Sequence, residues 1–147
     1  MQLILPSEQS GRVILLPSNT ELDAATSKKT FLQSADAQAS SLFVSNPPYE
    51  SYRLAQTYSC KGHSFLVVVF FRNDLLTGLQ LSIVASSDPT SWENWSEEHE
   101  RRKNEQQVEM LVQVYGRHPA MFDWGSITSS YDSRSGESAM TVQFHRH

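Results

Sequence analysis

The side chains capable of chemistry are few and scattered along the chain. Cys60 and His63, separated by two residues, could act as nucleophile and base, the imidazole lowering the thiol pKa. They flank Gly62, however, and neither an oxyanion loop nor a third member is evident. A strand-edge thiol beside a turn imidazole is the simpler reading. His145 and His147 would share one face of a strand and could bind zinc or copper, but two ligands do not make a specific site. His99 opens the run His-Glu-Arg-Arg-Lys and lacks the second histidine, four residues on, of a helical zinc motif. His118, just before Pro119, reads as a loop residue. Asp123, Asp132 and Glu137 could do acid–base work only if burial in one pocket pushed their pKa values apart. Nothing in their spacing gathers them. The sequence therefore predicts no catalytic set, no metal site and no cofactor.

Residues suited to recognition are more numerous. Trp92, Trp95, Phe122, Trp124 and Tyr131 cluster in the second half, and Tyr49 and Tyr52 follow the Pro47-Pro48 pair. Most should be core. Trp92 and Tyr49 fall in loops, where an aromatic is free to anchor a partner. Arg53, Arg117 and Arg134 are the cations placed to accompany them, and Asp132 belongs to the same polar turn as Arg134. The expected protein-binding set is Trp92, Tyr49, Arg134 and Asp132.

The elements that position these residues read as strands followed by a helix. Leu3 to Leu5 and Val13 to Leu16 are short apolar runs, each ended by a proline, and suit a hairpin or edge strand. Residues 18–41 read equally as a flexible loop or as a short helix beginning near Glu21, capped by Asn19 or Thr20. Leu42-Phe43-Val44 is a short strand stopped by Asn46-Pro47-Pro48. Tyr52, Leu54, Gln56, Tyr58 and Cys60 alternate as one strand face, and Lys61-Gly62-His63 is a turn. Phe65 to Phe71 is the most hydrophobic run and predicts a central strand buried on both faces. Leu79, Leu81 and Ile83 continue an antiparallel meander.

Ser96 is a good N-cap candidate, with Asn94 competing, and Glu97 and Glu98 suit the positive end of the dipole of a helix running to about Tyr115. Glu97–Arg101 and Glu98–Arg102 are favourable i,i+4 pairs. Val108, Leu111, Val112 and Tyr115 form an apolar face, so the helix is expected to dock by its C-terminal half. Gly116 ends it. Beyond it, one strand from Phe122, bulged at Gly125, pairs with Met140, Val142 and Phe144 across a turn at 132–137. Trp124 is expected in the core.

At 147 residues one domain, 1–147, is the default, long enough to bury a core without disulfides or metals. The net charge of −4 and pI near 5.7 argue against a nucleic-acid or membrane-surface binder. Arg101-Arg102-Lys103 is hemmed in by Glu97, Glu98, Glu100 and Glu105 and reads as a solvated helix face. A single cysteine excludes an intramolecular disulfide and fits a reducing, cytoplasmic setting. The first residues lack a basic region, and Pro6 cuts the apolar run short, so no secretory signal is expected. No run approaches the ~20 apolar residues of a membrane helix.

Together these features predict an α+β fold: a mostly antiparallel sheet of five or six strands, one long helix on one face and a C-terminal β-hairpin. By elimination the function expected is non-enzymatic protein binding, as in a small bacterial immunity, inhibitor or adaptor protein with a basic partner. A small hydrolase-type enzyme using Asp123, Asp132 and His63 or His118, and a subunit of a larger assembly, are the alternatives.

Overall fold

In the computed structural model, which describes residues 1–38, 40–84 and 96–145, the fold is α+β, as the patterning predicts, but the sheet is larger. The strands are β1 (Gln2–Ile4), β2 (Val13–Leu16), β3 (Thr20–Leu22), β4 (Ser41–Asn46), β5 (Tyr49–Arg53), β6 (Tyr58–Cys60), β7 (His63–Arg72), β8 (Leu75–Val84), β9 (Ala120–Phe122), β10 (Gly125–Asp132) and β11 (Glu137–Phe144). A short helix, α1 (Lys28–Leu32), a single 3-10 turn (Ala35–Ala37) and a long helix, α2 (Glu97–Tyr115), complete the described elements. Eleven strands replace the five or six expected, in the order β3-β2-β1-β6-β7-β8-β11-β10-β9, with β5 beside β7 and β4 outside β5. The sheet is mixed, because β1 runs parallel to β6. Four strands are only three residues long, too short for an alternation to register in sequence.

Three other expectations are corrected. The alternating run from Tyr52 to Cys60 is two strands: β5 and β6 pair with successive halves of β7, and Leu54 is buried in the break between them. The bulge expected at Gly125 is a tight turn at Asp123-Trp124, with Phe122 paired to Gly125. A Cβ at Gly125 would run into the backbone carbonyl of Gln143, which is why the turn returns on glycine. Trp124 is half-buried rather than central. It stacks on Phe122 with centroids 5.1 Å apart, its Nε1 donates to the Ser7 carbonyl at 3.1 Å, and Gly11 lies against its ring. The β1–β2 loop thus reaches the opposite end of the strand order, so the sheet is strongly curved.

Residues 18–38 are held by one carboxylate. Leu22 is buried opposite Val13, so Glu21 lies in a strand and the helix starts later, capped by Ser27. Asp36 then accepts from Ser18 Oγ, Thr20 Oγ1 and Tyr58 Oη, each at 2.5 Å. Burial opposes its ionisation, but the three hydroxyl donors outweigh that and lower its pKa.

Helix α2 begins and ends where the sequence predicts: Ser96 accepts from the His99 amide at 3.0 Å, and Gly116 closes the helix in the left-handed region. Its buried face differs. Glu100, Gln107, Met110, Leu111 and Tyr115 are buried, whereas Val112 is 44% exposed. The reason is polar. Strands β8 and β11 pair from Gly78–Gln143 to Leu81–Met140; continued in register, Ile83 would face Ser138. The strands part there instead. Gln107 Oε1 accepts the Ile83 amide at 3.2 Å and Glu100 Oε2 the Ser138 amide at 3.1 Å. Gln107 Nε2 donates to Ser129 Oγ at 2.9 Å, and Ser129 Oγ donates to Asn104 Oδ1 at 2.7 Å.

Replacing Gln107 by alanine strands a buried amide, which costs about 1–3 kcal/mol. Gln107→Ala should lower the urea midpoint, while the exposed Gln106→Ala stays within about 0.5 kcal/mol of wild type. Asp36 has a lowered folded pKa, so its stabilisation is fully present above the unfolded value of about 3.9 and is lost as pH falls through the folded value. Urea midpoints measured from neutral to acid pH should fall at the acid end, and Asp36→Asn should be less stable at pH 7 with a shallower acid decline.

Candidate functional site

Strand alternation builds the site on the face of the sheet opposite the helices. In β7 the odd residues from Phe65 to Phe71 are buried, while Leu66, Val68 and Phe70 are only half-covered. This corrects the expectation of burial on both faces. Phe31 of α1 touches Tyr52 and Phe71, and α2 bonds Ser129 and Ser138, so both helices lie on the inner face. Outward, Val44, Ser51, Phe70, Gly78 and Gln143 follow one another across β4, β5, β7, β8 and β11. A parallel row is Arg53, Val68, Gln80 and Thr141. On the other side, Tyr49 is paired with Arg72.

Small residues make the middle row a groove. Gly78 has no room for a side chain, since a Cβ would overlap the Val142 carbonyl. Ser51 lies on the floor, 2% exposed, and its Oγ has no hydrogen-bond partner among the described residues. The cavity is about 560 Å³, with Phe43 and Val44 of β4 as one wall and Phe70, Thr77, Gln80 and Gln143 deeper in.

Strand β4 supplies the apolar rim. All six of its residues are exposed, and Leu42, Phe43 and Val44 are 55, 56 and 50% exposed in succession. Among the described residues β4 pairs only with β5, so its outer edge is open. Beneath, on the core side, Lys28 Nζ meets Glu50 at 3.2 Å and Asp74 at 3.1 Å, and Tyr52 donates to Glu50 at 3.0 Å. Hydrogen bonds to Asp74 and Glu50 raise the Lys28 pKa. This bonding ties β5 to α1, so the hairpin is held from below while its outer surface stays free.

The sequence-predicted residues divide. Tyr49 lies on the groove, exposed, with the Arg72 guanidinium 5.6 Å from its ring centre. Asp132 and Arg134 sit at the other end of the strands, in the β10–β11 turn. There Asp132 Oδ1 accepts from the Arg134 amide at 2.9 Å and its carbonyl from Gly136. The register places that turn beyond Val84 and Tyr49 beside Leu75, some 30 Å apart along β8. Trp92, Trp95 and His147 lie outside the described residues. Phe43, Ser51 and Phe70 were not singled out from sequence. Leu42-Phe43-Val44 breaks strict alternation, which was the available signal, but it reads equally as a buried strand until its pairing is known.

The candidate chemical groups are not assembled. Cys60 faces His63 across the β6–β7 turn, but burial raises the thiol pKa against a smaller opposing effect of Lys61. Asp123 and Asp132 bracket β10 at its two ends, and His118 Nε2 accepts the Ser129 amide at 2.9 Å. Among the described residues no cluster of three His, Cys, Asp or Glu side chains is placed to hold a metal, and no helix is long and apolar enough to cross a membrane.

No protein-family model and no curated protein sequence matches the chain. Among solved structures, a chain of the structure of Rhs1-CT in complex with its cognate immunity protein RhsI1 is similar, with a TM-score of 0.56 at 12% identity. The match covers 95% of this chain and 86% of that one. The likeness is one of fold.

With its thiol buried and its pKa raised, Cys60 should react with Ellman's reagent slowly in the native protein at pH 8 and rapidly in denaturant. Fast native labelling would contradict that placement.

Proposed function

We propose that this chain is a non-enzymatic binding protein of the immunity type, which occupies a partner protein through the surface formed by β4 and the groove beneath it. The observation that carries this reading is the run Leu42-Phe43-Val44, three consecutive large apolar residues exposed on an open edge strand. Such a run is a liability on a free surface and is kept where a partner covers it. The fold's likeness to a chain of the complex of Rhs1-CT with its cognate immunity protein supports the same class. The net charge of −4 would add long-range attraction for a partner of basic overall charge, as expected for a cytoplasmic inhibitor of a basic toxin. Tyr49 belongs to this surface, while Asp132 and Arg134 would form a second, separate contact.

Tagged protein captured from its native cells at moderate salt should bring down one stoichiometric partner. Phe43→Asp/Val44→Asp, folded by circular dichroism, should lose it. Capture of no partner by the wild type, or equal capture by the variant, would count against the reading.

A further inference from the structure

The groove is shaped and charged for one kind of occupant. Strand alternation puts Arg53 and Arg72 on the same outer face as Ser51 and Phe70, one on each bank of the groove. Both are exposed, and among the described residues neither is ion-paired with a carboxylate. Four residue steps along β5, from Tyr49 to Arg53, separate the banks, a distance of about 13 Å. That is wide for one extended strand and close to the ~10–12 Å diameter of an α-helix. From β4 to β11 the groove crosses four inter-strand gaps, roughly 19 Å, or three to four helical turns. A strand added to the free edge of β4 would leave the groove empty.

The groove face is also one on which a sheet ordinarily receives a layer. Both described helices cover the inner face, and Leu66, Val68 and Phe70 are left half-covered on the outer one. We infer that the groove receives an amphipathic α-helix of the partner protein, its apolar stripe seated against Phe43, Val44 and Phe70 and bordered by carboxylates that meet Arg53 and Arg72. The inference deepens the binding role proposed above and rests on it. A partner of basic overall charge can carry such a helix, because net charge acts at long range and these two cations act at contact.

The test uses two synthetic helices of about 18 residues, long enough to hold helicity. Both carry the same leucine stripe, bordered in one by glutamates and in the other by lysines. Binding to the full chain is read by fluorescence anisotropy at low salt. The glutamate-bordered helix should bind wild type about tenfold more tightly than the lysine-bordered one, the scale of two ion pairs and two like-charge clashes avoided. Arg53→Glu/Arg72→Glu should reverse that order, and Phe43→Ser should weaken both helices. Each site is exposed, and unchanged circular dichroism and urea midpoints confirm that the variants fold.

Equal binding of the two helices, a preference for lysine, no binding of either, or an order unchanged in Arg53→Glu/Arg72→Glu overturns the inference. If the natural partner is still captured by wild type and lost by Phe43→Asp/Val44→Asp, that failure removes the acidic helix alone. If no partner is captured either, the binding role falls with it.

Discussion

The fold depends on what happens where β8 and β11 part. Two backbone amides that the ladder would have satisfied, those of Ile83 and Ser138, are taken by the side chains of Gln107 and Glu100. A buried amide without an acceptor costs as much as a good hydrogen bond contributes, so helix α2 cannot rotate or slide without stranding both. Glu100 is itself buried and held by Lys103 at 3.3 Å, so its charge is compensated where it sits. The helix is therefore placed by polar contacts from Glu100 to Gln107 and by Leu111 and Tyr115 toward its end.

That placement decides where function can reside. The sheet curves so that the β1–β2 loop reaches Trp124 and Tyr115, whose hydroxyl donates to the Pro6 carbonyl at 2.6 Å. With the inner face filled by α2, α1 and the Asp36 anchor, the outer face becomes the free one. Gly78 and Ser51 give it depth, and β4 gives it an apolar wall. The anchoring of Lys28 to Glu50 and Asp74 holds that wall from behind. A surface held this way would present its apolar side chains at little ordering cost, as the proposed binding role requires.

Much of the scaffold was legible in the chain. Ser96, the acidic first turn and Gly116 mark α2 because capping is local: the groups that end a helix sit within a few residues of it. The apolar run at 65–71 and the alternation at 79–83 mark β7 and β8 for the same reason. The three-residue strands did not show, because so short a strand exists only through its neighbour; nothing in Gln2-Leu3-Ile4 says that Gln2 will lie parallel to Ser59. The helix face was misjudged at Val112 because hydrophobic periodicity gives no weight to a glutamine, and Gln107 is fully buried.

The candidate site divides on the same line. By itself the sequence determined the longer elements and the ends of α2, consequences of local backbone preference and side-chain chemistry. Only the tertiary structure decided that Leu42, Phe43 and Val44 lie outside rather than in the core, that Ser51 and Gly78 deepen a groove beside them, and that Asp132 and Arg134 stand at the far end of the strands. Exposure is a property of what a residue is packed against, and pairing across a curved sheet joins segments far apart in sequence, so no window along the chain contains it.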